Sequence, residues 1–113
     1  MKLIIFIMNR VEKLDKLIHE LHHRGIKGAT ILSSTGMAQK LLANEDTAFI
    51  GSLKALFDNP RIESKVIMTV VEEGLKDTVY QTIEDIVGDL SLPNTGIVFT
   101  LDVNDVKGYL KAK

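Results

Sequence analysis

Residues 2–34 read KLIIFIMNRVEKLDKLIHELHHRGIKGATILSS, and the hydrophobic period changes twice along them. Leu3-Ile4-Ile5-Phe6-Ile7-Met8 is continuously apolar and rich in isoleucine, which suits a strand covered on at least one face. Val11, Leu14, Leu17, Ile18 and Leu21 then fall three and four apart, the single stripe of an amphipathic helix. Gly25 ends that helix and Gly28 turns the chain back. Ala29 to Ser34 is a short strand that runs out at Thr35-Gly36. The same series returns over residues 65–103, KVIMTVVEEGLKDTVYQTIEDIVGDLSLPNTGIVFTLDV. Val66 to Val71 is a β-branched strand, and Leu75, Val79, Ile83, Ile86 and Val87 make a second helical stripe. Gly88 to Thr95 is a loop carrying Pro93, and Gly96 opens a last strand, Ile97 to Val103.

The order is therefore β-α-β-β-α-β. Its economical solution is a ferredoxin-like α/β chain of the α+β kind: a four-stranded antiparallel sheet, two helices on one face, and a long loop between the second and third strands. The whole chain, 1–113, reads as one domain with an insertion at about 36–64. The strand residues Ile5, Ile7, Ile31, Met68 and Val98 are too apolar for an open face in water, so further copies of the chain are expected to cover it.

The insertion is not a low-complexity linker. Asp46 is suited to cap a short helix, and Phe49, Ile50, Leu53, Leu56 and Phe57 keep helical spacing on one face. With Leu41 and Leu42 they form an apolar surface suited to a partner protein. Lys40, Glu45 and Lys54 flank that surface and would bias the choice of partner.

Composition excludes several functions. The 14 basic and 15 acidic residues nearly cancel, and no basic cluster marks a nucleic-acid surface. The chain has no cysteine, which removes disulfides, thiol catalysis and thiolate metal sites. The opening apolar run is too short to span a bilayer and lacks a small-residue cleavage site, so neither signal peptide nor membrane insertion is expected, and the expected compartment is cytoplasmic. His19 and His23 lie one helical turn apart, but both project away from the apolar stripe and a closed metal site needs more ligands. No metal site is read there. The acidic pairs Glu45-Asp46, Glu72-Glu73 and Glu84-Asp85 read as solvated carboxylates. No nucleophile, base and orienting group occur together, so no catalytic residues are assigned and no enzyme is expected. Ser33-Ser34-Thr35 read as hydrogen-bond donors at a strand end.

Several strings together resemble PII-type signal-transduction proteins over nearly the whole chain: Lys2-Leu3-Ile4-Ile5, Gly25-Ile26-Lys27-Gly28-Ala29-Thr30, and Thr95-Gly96-Ile97-Val98-Phe99-Thr100-Leu101-Asp102-Val103. The resemblance implies a nitrogen-regulatory type of protein, a homotrimer of ferredoxin-like subunits. It also implies adenine nucleotides bound between subunits and a loop that docks onto a membrane transporter or a metabolic enzyme. Carried over by position, the nucleotide site comprises Thr30, Gly36, Met37, Ala38 and Gln39, with Asn94, Thr95 and Gly96. Glycines there let backbone N–H groups approach phosphates. The partner-binding loop comprises Lys40, Leu41, Leu42, Phe49, Ile50, Leu53, Leu56 and Phe57.

Three departures mark a divergent member. Ile97 stands where the family has a phosphate-binding lysine, Gly108 and Leu110 stand where it has two arginines, and the loop has no tyrosine to modify. A regulator without a bound cofactor is expected, whose effector is AMP, ADP, ATP or a cyclic nucleotide, the less charged of these suiting the site better. The alternative is a trimeric divalent-metal-binding protein similar to the CutA type, which keeps His19 and His23 in view.

Overall fold

The computed structural model describes residues 1–37, 40 and 63–109. Strand β1 is Lys2–Met8; a 3-10 turn, Val11–Lys13, leads into helix α1, Leu14–His23; strand β2 is Thr30–Ser34. Strand β3 is Ser64–Val71; a second 3-10 turn, Glu73–Leu75, leads into helix α2, Lys76–Val87; strand β4 is Gly96–Asp102. The sheet order is β2-β3-β1-β4 with every neighbouring pair antiparallel. This is the ferredoxin-like fold that the doubled pattern predicts. Each helix is entered one turn later than its stripe suggests, because Val11 and Leu75 lie in the 3-10 turns.

The core lies between the helices and one sheet face. Ile4, Phe6 and Met8 of β1 and Ile67 and Val71 of β3 are buried there, packed on Leu17 and Leu21 of α1 and Val79, Ile83 and Val87 of α2. Full burial of such side chains stabilises by about 1.5–3 kcal/mol each before entropy is counted. Tyr80 of α2 and Thr100 of β4 share a hydrogen bond of 2.6 Å that ties the helix to the edge strand.

Among the described residues, the opposite sheet face carries no helix. Register places three rows on it: Leu32-Val66-Ile7-Ile97, Thr30-Met68-Ile5-Phe99 and Val70-Leu3-Leu101. The expectation for Ile5, Ile7 and Met68 agrees with this. Two residues are corrected: Val98 packs against the core, and Ile31, opposite the buried Ile67, points to the helix side. Strand side chains alternate faces, so pairing with β1 and β3 sets the phase, which an almost continuous apolar run does not.

Arg24 at the end of α1 joins the two helices. Its Nε pairs with Glu20 at 2.9 Å, and its Nη1 reaches Asp85 at 2.9 Å and the hydroxyl of Thr82 at 3.1 Å. Hydrogen bonds from Gln81 and then from Arg24 hold the Asp85 carboxyl below the usual carboxylate range. Ser91 does the same for Asp89, and Lys2 for Asp102. A depressed carboxylate contributes stability above its unfolded pKa and loses it as pH falls through the folded value. The urea midpoint is therefore expected to be flat from pH 7 to 5 and to decline below about pH 4. Asp85→Asn should remove part of that decline; an unchanged acid profile in the variant would contradict the assignment.

Candidate functional site

At one end of the sheet Met8 stands opposite Gly96 on one side and Lys65 on the other, while Ser34 stands opposite Ser64. Gly36, two residues beyond β2, and Gly96, at the start of β4, therefore lie at the same end of the sheet. They sit on opposite edges, separated by three interstrand spacings, or about 14 Å.

The β4 corner is built by the turn after α2. Gly88, at φ 100°, releases the chain from the helix. The Asp89 carboxylate accepts the Ser91 N–H at 2.9 Å and the Ser91 hydroxyl at 2.7 Å. Thr95 is 1% exposed, and its hydroxyl donates to the Leu92 carbonyl at 2.7 Å. Its carbonyl accepts the Asn9 N–H at 3.2 Å. Thr95 thus closes the turn and anchors it to β1, and its hydroxyl is engaged within the protein. Asn94 takes φ 62° and Gly96 φ 139°. A Cβ on Gly96 would lie 2.3 Å from the Ile7 carbonyl oxygen and 2.9 Å from the Phe6 ring. The glycine lets β4 close onto β1.

At the β2 corner, the Gly36 carbonyl accepts the Lys40 N–H at 3.0 Å, and Met37 is 80% exposed. Lys40 is exposed. The hydroxyls of Ser34 and Ser64 share a hydrogen bond of 2.9 Å, and the Lys65 ammonium donates to the Ser33 hydroxyl at 2.8 Å. These serines tie β2 to β3. Ala38 and Gln39, and the loop residues Leu41, Leu42, Phe49, Ile50, Leu53, Leu56 and Phe57, lie outside the described residues.

Thr30 is elsewhere. It opens β2 at the opposite end, about 13 Å along the strand from Ser34, and lines a cavity of about 540 Å³. The cavity exists because β3 runs on past the point where β2 joins it. Thr30 pairs with Met68, and Thr69, Val70 and Val71 continue beyond. The Gly25–Ala29 turn runs past this stretch, and the Thr69 hydroxyl donates to the Gly28 carbonyl at 2.6 Å. The tail after β4, held by the Val103 N–H on the Met1 carbonyl at 3.1 Å, brings Gly108 and Tyr109 to the wall. Among the described lining residues, Lys27 is the one ionic side chain.

Of the expected nucleotide residues, the structure brings Asn94, Thr95 and Gly96 together and places Gly36 and Met37 at the same end but on the far edge. Thr30 is at the other end. Met68, Val70, Gly108 and Tyr109 line the cavity without having been expected to. Only the glycine-rich turn before Thr30 signals it locally, since the return of the tail is a long-range contact.

His19, His22 and His23 are all exposed on α1. Among the described residues, no three His, Cys, Asp or Glu side chains are grouped to hold a metal ion. Nor is any described helix long and apolar enough to cross a membrane.

A model of the family described as nitrogen regulatory protein P-II matches residues 1–111. No curated protein matches the chain. The family is one of regulatory signalling proteins rather than enzymes, and nothing supports the CutA-type alternative.

Proposed function

This chain belongs to the nitrogen regulatory P-II family, and we propose that it acts as a non-enzymatic regulator whose effector, a small adenine nucleotide, binds between copies of the chain. In this reading the copies form a homotrimer in the cytoplasm through their open sheet faces. The segment from Met37 to Pro60 engages or releases a protein partner, a membrane transporter or a metabolic enzyme. The effector acts by population shift, binding one state of that segment more tightly than another.

The observation that carries the reading is the separation of the expected site within one protomer. Gly36, just beyond β2, and Gly96, at the start of β4, lie at the two outer edges of the sheet, and Thr30 lies at the far end of β2. A single small ligand does not span these points on one copy. Edges and faces of neighbouring copies would supply the missing half. The uncovered apolar rows on β1, β3 and β4 give the copies a reason to associate.

Charge sets the ligand class. A triphosphate needs several fixed cations, and this chain has Ile97, Gly108 and Leu110 where the family places a lysine and two arginines. Ile97 is 57% exposed and apolar. AMP or a cyclic nucleotide is therefore the expected effector, ahead of ADP and ATP. Calorimetric titration of the purified protein with each of the four, magnesium present, tests this. Saturable binding of AMP or cyclic AMP, tighter than ATP by about tenfold or more, is expected. No heat from any of the four would overturn the adenine-nucleotide reading.

A further inference from the structure

We propose that Arg10 is an oxyanion-binding residue at the corner where β1 meets the turn before β4, and that its guanidinium takes the single acidic group of the effector. Its Nε is buried and has no hydrogen-bond partner among the described residues. Arg24 shows how this chain satisfies an arginine used for structure, with carboxylates on Nε and on Nη1 and a hydroxyl added. Among the described residues Arg10 has no such arrangement: Glu12, two residues on, does not accept from its Nε.

A guanidinium stays charged at any working pH, and a buried N–H of a charged group without an acceptor costs more than the bond it lacks. An unpaired polar atom of this kind calls for an acceptor beyond the described residues, such as an anion or a water. The fork geometry of arginine suits the paired oxygens of a phosphate or a carboxylate.

The backbone around Arg10 is fixed on both sides. The N–H of the preceding residue, Asn9, bonds to the Thr95 carbonyl at 3.2 Å, and the Arg10 carbonyl accepts the Lys13 N–H at 2.9 Å. Its own φ and ψ are −90° and 72°, outside both helix and strand. Arg10 is thus rooted beside the Asn94–Gly96 turn. A site with one fixed guanidinium suits a ligand with one phosphate.

That the acidic group belongs to a nucleotide rests on the function proposed above; the anion site itself does not. The test reads the two apart. The chain has three arginines, Arg10, Arg24 and Arg61, so protein labelled with ¹⁵N gives three side-chain Nε–H signals, and Arg10→Lys identifies one by its loss. Inorganic phosphate is expected to move the Arg10 signal saturably and to leave that of Arg24 in place. Sodium acetate, run in parallel, distinguishes a phosphate site from a general carboxylate site. AMP should move the Arg10 signal and adenosine should not. In Arg10→Gln, AMP affinity should fall about tenfold or more with adenosine affinity unchanged. An Arg10 signal unmoved by phosphate, acetate and AMP would assign the buried Nε to water and overturn the proposal. Three signals moving together would do the same by revealing ordinary ionic contact. If phosphate or acetate moves Arg10 alone but no nucleotide binds, the anion site stands and the adenine-nucleotide reading falls. If AMP binds and Arg10→Gln leaves its affinity unchanged, the nucleotide reading stands and the assignment of Arg10 to the effector's acidic group is overturned.

Discussion

Gly96→Ala is expected to destabilise the protein by about 3 kcal/mol or more, through a strained backbone and a steric overlap acting together. Gly96 takes φ 139°, where L side chains are rarely found, and an added Cβ would meet the Ile7 carbonyl oxygen at 2.3 Å. That oxygen belongs to the backbone of the central strand, and the next obstacle, the Phe6 ring, is 1% exposed within the core. Neither can step aside cheaply. For a domain of this size the loss corresponds to a fall in Tm of roughly 10 °C or more. Gly28→Ala is the matching control, because nothing lies within 4 Å of its Cβ position and its φ is not positive. Urea denaturation of both variants at pH 7 decides the matter. A Gly96→Ala midpoint equal to that of Gly28→Ala would contradict the geometry. The residue's role in closing β4 onto β1 also makes its substitution a poor probe of ligand binding.

Ile5→Lys is expected to convert the proposed trimer to a monomer. Ile5 occupies the middle of the uncovered face, between Met68 on β3 and Phe99 on β4, with Leu3 and Ile7 above and below it on β1. Phe99 is 39% exposed, Leu101 48% and Ile97 57%, a patch of the kind that water-soluble domains bury against a partner. A lysine there would carry a charge into the joint, and an unpaired buried charge is among the costliest single changes an interface can suffer. Its side chain points away from the core, so far-UV circular dichroism should stay close to that of the parent. Sedimentation velocity is expected to give a multiple of the 12.6 kDa chain mass for the parent and the chain mass for the variant. A parent protein that sediments as a single chain would contradict the covered face.

Much of the fold was legible because its signals are local. The stripes Leu14-Leu17-Leu21 and Val79-Ile83-Val87 identify the helices, and Gly25 and Gly88, both at positive φ, mark their ends. Strand phase was harder to read. Ile97-Val98-Phe99 is apolar at three successive positions, so no alternation says that Val98 faces the core while its neighbours face outward; the pairing of β4 with β1 decides it. The same ambiguity misplaced Ile31. The site was legible only in part, for a related reason. Thr95 is a site residue by resemblance alone, and its hydroxyl serves the turn carbonyls. The cavity at Thr30 depends on a tail that returns from Val103 to Tyr109 across a distant part of the chain. Arg10 carried no motif at all, and its unusual state appears only once burial and partners are known.

The effector is proposed to bind between copies of the chain. Calorimetric titration of AMP into the parent protein and into Ile5→Lys, each checked for its association state in the same buffer, tests it most directly. Saturable binding to the parent and loss of that binding in the folded monomer are expected, since Gly36, Gly96 and Thr30 do not meet on one copy. Equal affinity for both proteins would contradict it and place the ligand within a single protomer.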